Sequence, residues 1–208
     1  MNKLIKKLLI TMSLVVIIAF LGWQLWLTLY PNDITNDEFI IKIINEITKK
    51  YYIKYYINNA GFVEPASIFS TDVKNWDTTF NVNIRSAFVF TSQIIKQMKN
   101  NGGKLLYIAS TSATPPRPGW IAYSSSKAAL VNFALNLSAE LKPYGIKVYC
   151  ISPGRCATDL RRKLAPEEDQ SKIMQPEEVA DVVSLLLSKK GDTLDGQNII
   201  VKKQIFNP

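Results

Sequence analysis

Tyr123 and Lys127 lie four residues apart at the head of the segment Ile-Ala-Tyr-Ser-Ser-Ser-Lys-Ala-Ala-Leu. On a helix that spacing is about 400° of rotation, so the phenol and the ammonium share one face. A cation beside a phenol favours the phenolate and draws the tyrosine pKa towards the working pH. The pair makes a general acid and base suited to reducing a carbonyl or oxidising an alcohol. The same spacing also occurs in solvent-facing pairs with no chemistry, so its weight comes from what surrounds it. The chain contains no histidine, which excludes Ser–His–Asp and Cys–His nucleophiles and every His-ligated metal centre. Acid–base work therefore falls to Tyr, Lys, Asp, Glu or Cys. A hydrolase with Ser110 as nucleophile lacks both a histidine and a GxSxG elbow. Cys150 and Cys156 are the two cysteines. They are too few for a disulfide framework and read as reduced thiols of a cytosol-facing protein.

A helix carrying such a pair must be held against something rigid. Beyond Pro31 amphipathic helices alternate with short apolar strands. Helices are expected over 37–50, 75–99, 122–141 and 176–188, and strands over 52–57, 104–109, 146–151 and 198–201. The run Asn100-Asn101-Gly102-Gly103 stops one helix, and Pro176 opens another. Strands separated by helices imply right-handed crossovers and a mainly parallel sheet covered on both faces. Ligands of such sheets bind at the carboxyl ends of the strands. There the sequence places Asn59-Ala60-Gly61, Ser110-Thr111-Ser112 and Pro153-Gly154.

The 208 residues suffice for one sizeable core, and 47% hydrophobic against 20% charged residues is a globular composition. Lys plus Arg outnumber Asp plus Glu by 25 to 17, a formal charge of +8. The cations form no stripe with interleaved aromatics, so nucleic acid is not an expected partner. Residues 8–30 carry no charge, follow Lys3, Lys6 and Lys7, and end on Trp23, Trp26 and Tyr30. That pattern predicts a single transmembrane helix. Residues 1–30 then form a membrane anchor and 31–208 the folded domain, a single-pass membrane protein with its domain facing the cytosol. The alternative is a cytoplasmic protein in which part of the run is a buried strand or helix of the domain.

Taken together, the motifs resemble those of the short-chain dehydrogenase/reductase family over about 33–201. Asn58-Asn59-Ala60-Gly61 is similar to the family's NNAG turn, and Phe80-Asn81-Val82-Asn83-Ile84 to its vNv helix segment. Ser110 stands thirteen residues before Tyr123, the spacing of the family's catalytic serine. Pro153-Gly154-Arg-Cys-Ala-Thr158 and Asp33-Ile34-Thr35 complete the pattern. The resemblance implies NAD or NADP as cofactor and a small carbonyl or alcohol as substrate. Tyr123 would exchange a proton with the substrate oxygen, Lys127 would lower the tyrosine pKa and hold the nicotinamide ribose, and Ser110 would bond the substrate carbonyl. Asn83 would position a water in a proton relay, or simply tie down a helix kink. Asn59, Ala60, Gly61, Pro153, Gly154 and Thr158 would line the cofactor site, and Asp33 would contact the adenine.

The family's TGxxxGxG turn is absent. The expected fold is thus a three-layer, doubly wound, Rossmann-like parallel sheet lacking its first strands and glycine-rich turn, preceded by a hydrophobic helix. The resemblance also implies a homo-oligomer built on the helices at 75–99 and 122–141. Arg161, Arg162 and Lys163 read as contacts for an anionic substrate such as a sugar phosphate, or as a solvated face. The functional alternative is an inactive remnant, membrane-tethered or truncated, that serves as a binding subunit.

Overall fold

The computed structural model describes residues 15–19, 24–28 and 34–203. Six strands form one sheet in the order β2-β1-β3-β4-β5-β6, where β1 is Val15–Ala19, β2 Gln24–Thr28, β3 Tyr55–Asn58, β4 Gly103–Ile108, β5 Ile146–Pro153 and β6 Asn198–Val201. From β3 to β6 every neighbouring pair is parallel. The helices between them are α1 (Asp37–Thr48), α2 (Val73–Phe80), α3 (Ser86–Met98), α4 (Ile121–Leu141), α5 (Asp159–Leu164) and α6 (Pro176–Leu187).

Side chains alternate across a strand, and that alternation sorts the core into two layers. Tyr56, Leu105, Tyr107, Val148 and Cys150 face α1, α3 and α4, where Ile40, Ile44, Phe90, Ile94, Leu130 and Ala134 cover them. Ile57, Leu106, Tyr149 and Ile151 point the other way, onto Ala180, Val183 and Leu186 of α6. Tyrosines in a central strand need partners for their hydroxyls. Tyr56 donates to Asn58 Oδ1 at 3.1 Å, and the Tyr107 hydroxyl lies 2.6 Å from that of Thr91. Lys104 closes the C-terminus of α6, donating to the carbonyls of Leu186 and Ser188 and pairing with Asp192.

Where residues 8–30 are described, at 15–19 and 24–28, they are strands and not the single apolar helix expected. β1 pairs antiparallel with both β2 and β3, with Ile17 opposite Trp26 on one side and Ile57 on the other. The β-branched run Val15–Ile18 favours extended backbone. The outer edge of β3 would otherwise expose a row of unpaired N–H and C=O groups. The sheet is therefore mixed at this edge, and part of the 1–30 segment belongs to the same sheet as the rest. Among the described residues no helix is both long and apolar enough to cross a membrane.

The helix expected over 75–99 is also not one regular helix. Between α2 and α3 the segment Asn81–Arg85 makes a π turn, in which the N–H of Ser86 reaches back five residues to the carbonyl of Asn81. α3 stops at Gly102, whose φ of +71° lies in the left-handed region that glycine adopts without a Cβ penalty. The short helix α5 was not anticipated from the sequence; Thr158 caps it by accepting from the N–H of Arg161 at 3.2 Å.

Candidate active site

The carboxyl ends of β3, β4 and β5 open into a cavity of about 190 Å³ lined by Asn59, Gly61, Ser110, Tyr123, Lys127, Pro153, Gly154 and Thr158. All of these were singled out from the sequence. Ala60 is 1% exposed and packs into the core beneath this mouth. Asp33 lies outside the described residues.

Tyr123 and Lys127 stand one turn apart on α4, with the Lys127 ammonium 5.9 Å from the Tyr123 ring centre. Lys127 is 3% exposed and donates to the carbonyl of Ile108, at the end of β4, over 2.9 Å. Burial lowers its pKa from 10.5 to about 8, with the neighbouring Cys150 pulling the other way. Burial in turn raises the Cys150 thiol to about 12, which leaves it a protonated core residue.

The tyrosine departs from the expectation of a phenol pulled down by its lysine. Burial holds Tyr123 above the ordinary tyrosine value, and the groups that pull against burial are a hydrogen bond with Ser110 and the charge of Arg117. Ser110 follows β4 and opens the short turn Thr111–Ala113, where its hydroxyl accepts from the N–H of Ser112 at 3.1 Å. Arg117 sits in the proline-rich stretch between them, Thr-Pro-Pro-Arg-Pro-Gly-Trp. Its charge on a flexible-looking loop gave no sequence signal; only the return of that loop over Tyr123 brings it to the site.

Asn83 is fully buried in the π turn, and both N–H bonds of its amide are committed. They go to the carbonyl of Phe62 at 3.0 Å and to Ser126 Oγ at 2.8 Å, while Oδ1 accepts from the N–H of Phe62 at 2.7 Å. Ser126 passes the connection on by donating to the carbonyl of Tyr123 at 2.8 Å. The side chain is thus a bracket between the loop after β3 and the first turn of α4. Ser126 was missed in the sequence, although its place three residues after Tyr123 puts its hydroxyl within reach of that carbonyl.

A Cβ at Gly61 would meet Lys127 Nζ at 3.5 Å and Asn83 Oδ1 at 3.8 Å, so the glycine keeps the approach to the ammonium open. On the far side, Cys156 and Leu160 line both this cavity and an adjoining one of about 140 Å³ that also reaches Trp120 and Arg117. Of the Arg161–Lys163 run, Arg161 turns to this side and pairs with Glu168, while Arg162 pairs with Asp159. Among the described residues no group of His, Cys, Asp and Glu is placed to hold a metal ion.

A family model for the short chain dehydrogenases matches residues 24–169. The 3-oxoacyl-(acyl-carrier-protein) reductase of Buchnera aphidicola from Acyrthosiphon pisum is 32% identical over 184 residues, 84% of this chain and 75% of that one. A short chain dehydrogenase family protein from Francisella tularensis superposes with a TM-score of 0.74 at 26% identity, over 81% of this chain and 77% of the other. The gluconate 5-dehydrogenase of Burkholderia cenocepacia, solved with NADP and tartrate, matches at 0.76 and 23%, over 81% and 71%. At that identity the last likeness speaks for the fold alone. The motif order, the sheet end on which the motifs converge and these matches agree: the chain belongs to the short-chain dehydrogenase family.

Proposed function

We propose that the protein is an NAD(P)-dependent oxidoreductase that interconverts a carbonyl and a secondary alcohol on a small molecule. The observation that carries the reading is Lys127, a buried ammonium at a cavity mouth with one N–H engaged on Ile108 and two others to offer. A ribose diol is the complement of such a donor, and Gly61 leaves room for it. The nicotinamide, when bound, supplies or accepts the hydride. In reduction Tyr123 donates its phenolic proton to the substrate oxygen, and in oxidation the phenolate takes it back. Ser110, bonded to the phenol, is placed to hold the same oxygen. Asn83 acts by position, fixing through Ser126 the turn that carries Tyr123. Exposed Trp76, Phe88 and Leu135 on α2, α3 and α4 support assembly into a homo-oligomer through those helices.

Titration with NADH and then NADPH, followed by dihydronicotinamide fluorescence and melting temperature, tests the reading. Micromolar binding by the native chain, with Tyr123→Phe binding equally but turning nothing over in a carbonyl screen, is the expected result. Failure to bind either nucleotide at millimolar concentration would overturn it. That outcome would support a second reading, a binding subunit without turnover. One observation favours it: the residues of this chain include no TGxxxGxG turn to cradle a pyrophosphate.

A further inference from the structure

Beside the catalytic cavity lies a wider cleft of about 750 Å³, and its charge is one-sided. Arg117, Arg155, Arg161, Lys172, Lys202 and Lys203 line it, and among the described residues no carboxylate does. Two acids stand behind the wall. Glu168 takes Arg155 on one oxygen at 2.7 Å and Arg161 on the other at 2.5 Å, and Asp169 lies 3.4 Å from Lys172. Six cations against two carboxylates leave a strong local excess of positive charge. Glu168 also does something geometric: by holding two guanidinium groups on one carboxylate it fixes their spacing at that of a single small oxyanion. The cleft is not separate from the chemistry, because Arg117, Arg155 and Arg161 also line the smaller cavity that contains Ser110 and Tyr123.

We propose that this cleft binds the anionic end, a phosphate or carboxylate, of a small substrate whose carbonyl or alcohol sits at Tyr123 and Ser110. The placement of the reacting group rests on the oxidoreductase reading above; the anion site rests on the cleft alone. Arg155 and Arg161 grip the anion, Arg117 bridges it to the reacting end, and Lys172, Lys202 and Lys203 supply field. A concave site continuous with a cavity of this size suits a small molecule rather than the convex face of an acidic protein.

The test uses the full chain with three probes. Calorimetric titration with inorganic phosphate, against sodium chloride at matched ionic strength, reads the anion site without turnover. Phosphate should bind in preference to chloride, and Arg155→Gln should weaken it about tenfold. The second part compares acetoacetate with its neutral ethyl ester as substrates for NADPH-dependent reduction. Acetoacetate should have the higher kcat/KM at low salt. That advantage should shrink on raising salt from about 20 to about 500 mM, where the screening length falls to a few ångströms. It should shrink also in the double variant Lys202→Gln, Lys203→Gln. Phosphate binding no better than chloride, or an acetoacetate preference that neither salt nor the lysine variant moves, would overturn the proposal. So would an acidic carrier protein that binds tightly while phosphate gives no heat. Phosphate binding that Arg155→Gln weakens, in a chain that binds neither NADH nor NADPH at millimolar concentration, would leave the anion site standing and sink the oxidoreductase reading instead.

Discussion

Lys127 shows most directly what the site costs the fold. An ammonium that is 3% exposed, has one carbonyl partner and has its pKa lowered from 10.5 to about 8 is a charge the folded protein would rather not carry. Its sign follows from linkage. Between pH 8 and 10.5 the unfolded chain binds this proton and the folded chain does not, so raising the pH through that window stabilises the fold. Lys127→Met should therefore abolish turnover and raise stability at pH 7 by about 1–3 kcal/mol, the loss of the Ile108 bond offsetting part of the gain. Urea midpoints of the two proteins should converge as the pH rises from 8 to 10; a constant gap would show that the cost is packing and not charge. At this scale the sequence was readable where chemistry fixes residue type and spacing, as for Tyr123, Lys127 and Ser110. It was not readable where a contact depends on a loop returning through space. Arg117 and Glu168 reach their partners that way.

Among the elements, the π turn decides whether the site exists. Asn83 makes three hydrogen bonds to Phe62 and Ser126, and Asn83→Ala would leave the backbone N–H and carbonyl of Phe62 unpaired in a half-buried place and Ser126 without its donor. A loss of about 2–4 kcal/mol is expected, measurable as a shift in the urea midpoint with an unchanged slope. A variant with native stability would show that water replaces the amide. The same logic of close fit applies at Gly191, where a Cβ would come within 2.4 Å of Leu186 Cα. Gly191→Ala should cost about 1–3 kcal/mol through overpacking of the turn behind α6. Short apolar runs bounded by turn residues located β6 at its observed limits and β3, β4 and β5 within a few residues, because strands covered on both faces read that way. Hydrophobic periodicity did not reveal the π turn, whose apolar spacing differs from a helix by one residue. Nor did it identify β1 and β2: an uncharged, largely apolar run reads alike as a membrane helix or as strands at a sheet edge.

For the molecule as a whole, the important fact is that the site belongs to no single segment. Asn59 and Gly61 follow β3, Asn83 lies between helices, Ser110 follows β4, Tyr123 and Lys127 open α4, and Gly154 and Thr158 follow β5. They meet only when the parallel strands are in register, and parallel register requires every crossover helix to be docked. Nucleotide binding and far-UV helical signal are expected to fall at the same urea concentration in equilibrium unfolding. Binding lost well before the helices would show a site that opens on its own. Fold class was legible from the alternation of elements because that alternation leaves few topologies to choose from. The mixed edge was not, since pairing partners are a property of the finished sheet.

The five-residue turn at Asn81–Arg85 has one more consequence, for how this protein tolerates insertion and deletion. Removing one residue there would let the ladder close as an ordinary helix with its two flanks still in phase, because the π turn absorbs its extra residue as a bulge. α3, held by Phe90, Ile94 and Met98 in the core, would keep its place. The result would be a tidier helix without the bulge on which Asn83 reaches Phe62. The position of that side chain is thus recorded in the length of the chain as much as in its letters, and a single-codon deletion that looks harmless in a helix would erase it.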